Sequence, residues 1–80
     1  MKNIKVYTKN GCQMCNMTKK FLERSGIEFK LINIEDEGNE HLVSFIKDEL
    51  GFMTMPVVAV NDEEFFSGFQ PDKLEKLKEE

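Results

Sequence analysis

Tryptophan is absent from this 80-residue chain, histidine and tyrosine occur once each, and proline and cysteine twice. Each scarcity removes a class of protein. Two cysteines cannot build the dense disulfide frameworks that staple small secreted domains. Two cysteines and one histidine also fall short of the four ligands that a tetrahedral structural zinc requires. Five glycines and two prolines exclude collagen-like and Pro/Gly-rich low-complexity chains. Long apolar runs are missing too. The longest, Gly51 to Asn61, is far shorter than the ~20 residues of a spanning helix, which excludes a membrane protein.

What remains has a globular character. Hydrophobic residues make up 40% of the chain, with seven Phe and five Met, against 32% charged residues. At this length folding buries roughly 60% of the unfolded surface, enough for one modest core and a single domain over residues 1–80. The formal charge of -4 is unevenly spread: residues 1–34 carry +5 and residues 35–80 carry -9. The basic residues are dispersed and no aromatic cluster is interleaved with arginine, so no nucleic-acid partner is expected. The positive half can instead lower the pKa of a nucleophile within it. Met1 to Val6 alternates polar and apolar residues with no signal-peptide stretch behind it, and the cytoplasm is the expected location.

The chain divides into short elements. Ile4 to Tyr7 is a β-rich strand, followed by the loop Lys9-Asn10-Gly11. From Cys12, the apolar residues Met14, Met17, Phe21 and Leu22 recur at helical spacing, and Ser25-Gly26 stops the helix. Ile27 to Ile34 reads as a second strand, parallel to the first through a right-handed crossover. Leu42, Phe45, Ile46 and Leu50 mark one face of a second helix, which ends at Gly51. Pro56 to Val60 reads as a buried strand, and Asn61-Asp62-Glu63 turns it into a hairpin with Glu64-Phe65-Phe66. After Ser67-Gly68-Phe69, Pro71 opens a last helix carrying Leu74 and Leu77. The order βαβαββα predicts an α/β fold with a mixed four-stranded sheet and three helices, its antiparallel strand at the edge of a parallel core.

The chemistry lies in Cys12-Gln13-Met14-Cys15, where the first strand meets the first helix. Residues three apart on a helix share a face, close enough for small adjustments to allow a disulfide. A bridge around two residues constrains little of the unfolded chain, which argues against a structural staple. Metal binding needs further ligands. His41 stands in a predicted helix as a solvated residue, although a zinc or iron–sulfur site shared by two chains, each giving two cysteines, remains a rival reading. A catalytic dithiol accounts for more of the sequence. Cys12 at the helix N-terminus, with Lys9 nearby, is expected to have a lowered thiol pKa. Because nucleophilicity falls with pKa, the placement serves the leaving-group role as much as attack. Cys15, one turn in, is the expected resolving thiol.

Over essentially its whole length the chain resembles the thioredoxin superfamily, and glutaredoxins more closely. Thr54-Met55-Pro56-Val57-Val58 is similar to the family segment in which a cis-proline faces the CxxC pair and the preceding residue offers its backbone to the substrate. Base rates alone favour a trans Met-Pro bond; the resemblance favours cis. Phe66-Ser67-Gly68-Phe69-Gln70-Pro71-Asp72 is similar to the WSGFRPD signature of NrdH-type redoxins. Those proteins are reduced by thioredoxin reductase rather than glutathione and supply electrons to class Ib ribonucleotide reductase. The resemblance implies a thioredoxin-like fold, Cys12 and Cys15 as redox pair, and no cofactor beyond their disulfide. It further implies a partner surface formed by Lys9, Gln13, Met14, Met55, Pro56, Phe66, Ser67, Gly68, Phe69 and Gln70 on a monomer. Asn10-Gly11 stands where proline often follows the lysine, Phe66 replaces the usual Trp, and Gln70 the usual Arg. A glutathione-dependent glutaredoxin is the nearer alternative.

Overall fold

The computed structural model describes residues 3–77; Met1 and Lys2, included in the N-terminal alternation above, lie outside them, as do residues 78–80. Strand β1 (Ile4–Thr8) leads into helix α1 (Gln13–Arg24), and β2 (Lys30–Asn33) into helix α2 (Glu40–Ser44), which continues as a π-helical turn over Phe45–Glu49. Strands β3 (Val57–Val60) and β4 (Glu64–Ser67) form the hairpin, and α3 (Pro71–Lys76) follows. The expected order βαβαββα and the four-stranded mixed sheet are both present.

The sheet order is β2-β1-β3-β4. The β1–α1–β2 unit is parallel, with Val6 opposite Leu31, as a right-handed crossover dictates. One expectation is corrected here. The strand that runs against the others is β3, inside the sheet, rather than the edge strand β4: β3 is antiparallel to both β1 and β4. The link through α2 returns the chain to the sheet end it left, so β3 starts beside the end of β1, with Val57 opposite Tyr7. At the other end of β3, Asn61 and Asp62 both take φ of 56°. This left-handed pair matches the sheet twist and suits Asn and Asp.

Period-2 alternation divides the core into two layers. Ile4, Val6, Val58, Val60 and Phe66 face α1 and α3, where Leu22 and Leu74 complete one cluster. Tyr7, Val57 and Ala59 point the other way and pack with Ile46 of the π-helical turn, Met55 and Cys15. All four residues of β3 are buried, as expected of a central strand with helices on both sides. The second helix departs from a regular α pattern because the Leu50 amide donates to the Phe45 carbonyl, five residues back, at 3.1 Å. The widened turn sets Leu50 over Phe45, and both pack on this second cluster. Strand β2 is shorter than the alternation over Ile27 to Ile34 implied. The phase breaks between Leu31 and Ile32, and at the sheet edge Leu31 is left 45% exposed.

Leu22 has no exposure. Leu22→Ala is expected to cost about 2–5 kcal/mol by urea unfolding, from lost burial plus a residual cavity, whereas Leu31→Ala should stay within about 0.5 kcal/mol. Equal losses at the two positions would contradict the layer assignment.

Candidate active site

Strand β1 delivers the chain to the turn Lys9-Asn10-Gly11, where Gly11 has φ of +69°, a conformation that glycine adopts without steric cost. Cys12 follows in extended geometry (φ -94°, ψ 108°) as the N-cap of α1. Its Sγ accepts the Cys15 backbone N–H at 3.1 Å, the role that a Ser or Asp oxygen takes at other helix starts. The first turn of α1 contains no acidic residue, so the partial positive charge of the helix start is uncompensated there and available to an anionic sulfur. Cys12 and Cys15 are joined by a disulfide, with their Cα atoms 5.2 Å apart. The two sulfurs have different surroundings. Cys15 is 3% exposed among Tyr7, Ile46 and Met55, while Cys12 is half-buried at the rim of that cluster. An incoming thiol or disulfide therefore reaches Cys12 first.

The turn before Cys12 is held by a network that the sequence reading did not anticipate. The Asn10 N–H donates to Glu35 Oε1 at 2.6 Å. Asn33 Nδ2 donates to Asn10 Oδ1 at 2.8 Å, and the Glu35 N–H donates to Asn33 Oδ1 at 2.8 Å. Asn39 Nδ2 closes the arrangement onto the Asn33 carbonyl at 2.8 Å. A proline after Lys9 would have no N–H to satisfy. Asn10 has one, and the acidic turn after β2 supplies its acceptor. That donor beside an acidic segment was the available signal.

On the same end of the sheet, the Met55–Pro56 peptide is cis, as the resemblance implied and base rates did not. Pro56 is fully buried and Met55 is 9% exposed, which leaves backbone rather than side chain to face a substrate. The Pro56 carbonyl accepts the Gly68 N–H at 2.8 Å, and the Thr54 hydroxyl donates to Ser67 Oγ at 3.4 Å. Gln70 Nε2 donates back to the Ser67 carbonyl at 2.6 Å. Ser67 to Gln70 is thus fastened to the proline loop and to itself.

The remaining expected site residues divide. Lys9 is exposed and lines a groove of about 260 Å³ with Ile46, Met53 and Met55. Gln13 and Met14 are exposed on α1 beside the disulfide. Phe69 is half-buried, its ring edge-on to Phe21 with centroids 6.3 Å apart. Phe66, expected on the partner surface, is instead a core residue at 7% exposure. As a β4 residue opposite Val58 it falls on the α3 side of the sheet, with Lys73 Nζ 5.4 Å from its ring centre. Among the described residues no three His, Cys, Asp or Glu side chains gather as a metal-ligand set, and His41 lies exposed in α2.

A disulfide at a helix start, open to solvent on its N-terminal sulfur and carried by this sheet, is the arrangement of thiol–disulfide oxidoreductases of thioredoxin-like fold. Comparison narrows the class. The family model for glutaredoxin matches residues 4–65. Over 74 residues the chain is 45% identical to the glutaredoxin-like protein NrdH of Lactococcus lactis subsp. cremoris, covering 92% of this chain and 97% of that one. It is 37% identical over 78 residues to NrdH of Salmonella typhimurium, covering 94% and 88%. Among solved structures, the NrdH-redoxin of Escherichia coli superposes with a TM-score of 0.80 at 35% identity, over 94% of this chain and 93% of that one. The chain belongs to the glutaredoxin family, as a glutaredoxin-like redox protein of the NrdH type.

The Asn10–Glu35 contact gives a direct test. Glu35→Ala should lower unfolding free energy by about 1 kcal/mol, the net worth of one such hydrogen bond, while Glu35→Gln, which keeps an acceptor oxygen, should retain most of it. Equal losses in both variants would show that the carboxylate charge, rather than the hydrogen bond, holds the turn.

Proposed function

We propose that this protein is a cytoplasmic, monomeric electron donor, reduced by thioredoxin reductase with NADPH and oxidised by class Ib ribonucleotide reductase, with Cys12 as nucleophile and Cys15 as resolving thiol. The observation that carries the reading is the state of Ser67 to Gln70. Its Gly68 N–H, Ser67 Oγ and Gln70 Nε2 are engaged by the Pro56 carbonyl, the Thr54 hydroxyl and the Ser67 carbonyl. Phe69, Gln70 and Pro71 carry no charge, so Ser67 to Pro71 offers no ionic partner to the charged ends of glutathione. The solved NrdH-redoxin of Escherichia coli is described as having a thioredoxin-like activity profile, which supports the same assignment.

The chemistry needs no group beyond the two sulfurs. In the dithiol form, Cys12 is the thiolate, stabilised by the N–H it accepts as N-cap and by the helix start. It attacks one sulfur of the acceptor disulfide, forming a mixed disulfide and releasing the other acceptor sulfur as a thiolate that takes a proton. Cys15 then loses its proton and attacks Cys12 Sγ, closing the intramolecular disulfide and freeing the second acceptor thiol. Two electrons have passed to the acceptor, whose two sulfurs take one proton released by Cys15 and one from solvent. The reductase reverses these steps. A reducing compartment keeps the dithiol form available, consistent with the cytoplasm.

Two measurements test this. With NADPH, thioredoxin reductase is expected to reduce the Cys12–Cys15 disulfide much faster than reduced glutathione coupled to glutathione reductase does on the same preparation. A glutathione-coupled rate that matches the reductase rate would make the protein a glutathione-dependent glutaredoxin. In the second, Cys15→Ser should accumulate a stable mixed disulfide through Cys12, while Cys12→Ser should abolish turnover. Equal trapping on both single variants would overturn the assignment of roles.

A further inference from the structure

Asn10 is the one asparagine in this chain that glycine follows. Both residues of the pair are exposed, in the turn that leads from β1 into Cys12. The Asn10 carboxamide is held by its oxygen alone: Oδ1 accepts Asn33 Nδ2 at 2.8 Å, and among the described residues neither Asn10 Nδ2 nor the Gly11 N–H has a hydrogen-bond partner. Nothing lies within 4 Å of the point where a Cβ on Gly11 would sit. A carboxamide, an unbonded backbone nitrogen one residue on and open space around it are what intramolecular attack requires, and glycine leaves that peptide free to rotate. Other asparagines lack these conditions. Asn33 is followed by β-branched Ile34, whose N–H is tied to the Thr8 carbonyl at 2.9 Å, and Asn16 lies within α1, where the helix fixes its backbone.

We propose that Asn10 is a self-modification site: the Gly11 nitrogen closes on the Asn10 side chain, and the acidic product slows sulfur exchange at Cys12. The Gly11 nitrogen gives its proton to solvent and adds to Asn10 Cγ. Negative charge gathers on Oδ1, where the Asn33 N–H that already points at it stabilises the intermediate. The Cγ–Nδ2 bond then breaks and ammonia leaves, its third proton returned by solvent, while a succinimide joins side chain to main chain. Water opens the ring at either carbonyl. One opening gives aspartate; the other gives isoaspartate, in which the main chain runs through the β-carbon and is longer by one carbon. Nothing is oxidised or reduced. Water is consumed, ammonia is released, and a neutral amide has become a carboxylate.

Either product places a negative charge two residues before Cys12, the two Cα atoms being no more than about 7 Å apart by the reach of the chain. Glu35, whose Oε1 accepts the Asn10 N–H at 2.6 Å, then shares the turn with a second carboxylate. Sulfur exchange at Cys12 passes through a thiolate, either its own or that of the attacking group. Like charge at the turn opposes both. This consequence rests on the reading of Cys12 as the sulfur at which exchange begins.

To test this, the disulfide form is held in mildly alkaline buffer at physiological temperature, sampled over weeks and mapped by peptide mass spectrometry, with isoaspartate located by isoaspartyl methyltransferase labelling. Asn10 is expected to convert ahead of every other asparagine. At low ionic strength, reduction of the Cys12–Cys15 disulfide by dithiothreitol should slow about threefold in converted protein, the effect in water of a unit charge about 7 Å from the reacting thiolate. The Asn10→Gln variant, whose longer side chain closes a ring far more slowly, should keep its own starting rate through the same incubation. Conversion of Asn10 no faster than that of Asn16, an unchanged dithiothreitol rate in converted protein, or equal slowing of Asn10→Gln would overturn the inference. Dithiothreitol needs no reductase, so these outcomes stand even if thioredoxin reductase proves not to be the electron source. If the single-cysteine variants overturn the roles of Cys12 and Cys15, that reading fails by itself, and the mass map and the dithiothreitol rate still decide this one.

Discussion

The antiparallel pairing of β3 against β1, with Val57 opposite Tyr7, is the constraint on which the site depends. Strand β1 ends where the chain turns into Cys12, and β3 begins immediately after Pro56. Antiparallel pairing puts that end and that beginning on one edge of the sheet. A parallel β3 would have carried Pro56 to the far edge, a strand's length from the cysteines. The pairing is secured from both sides of the sheet. Val58 and Val60 pack toward α1 and α3 in one cluster, and Val57 and Ala59 pack toward the π-helical turn in the other. Sliding the register by one residue would exchange these faces throughout.

Within that frame, chemically identical cysteines become different. Cys12 sits at the helix start with an N–H directed at its sulfur, while Cys15 is packed against Tyr7, Ile46 and Met55. The helix start favours charge on the outer sulfur, while the inner one is enclosed by apolar side chains. The two sulfurs, three positions apart, thus stand in different surroundings, one at a helix start and one in the core. The loops around them are held by hydrogen bonds rather than by bulk. Asn10, Asn33 and Glu35 tie down the approach to Cys12, and Thr54, Ser67 and Gln70 tie down the side facing the proline loop. These hydrogen bonds hold the loops on both sides of the half-buried Cys12 sulfur in place.

Much of this was legible before any coordinates. Strand, glycine turn and helix are written in Ile4 to Arg24, and the hairpin in Val57 to Ser67 with Asn61-Asp62 between its strands, because these signals act over a few residues. The redox pair was legible for the same reason, since CxxC at a strand–helix junction needs only local geometry. Phe66 was misplaced because its side depends on the phase of β4 against β3, and no feature within Glu64 to Phe66 says which of two neighbouring phenylalanines turns inward. The direction of β3 was missed because crossover rules govern a strand–helix–strand unit only when the connection returns to the starting edge.

Sequence by itself determined the elements, their order, the two sulfurs and their placement at a helix start, since each follows from residue type and short-range spacing. Only the tertiary structure decided which edge the proline loop shares with the disulfide and which phenylalanine enters the core. It alone decided that Asn10 bonds to a glutamate 25 positions away and that Met14 and Met53 stay at the surface. Those outcomes depend on contacts between segments remote in sequence, where strand register, the reach of each helix across the sheet and competition for buried area choose among arrangements that local propensity leaves equally open.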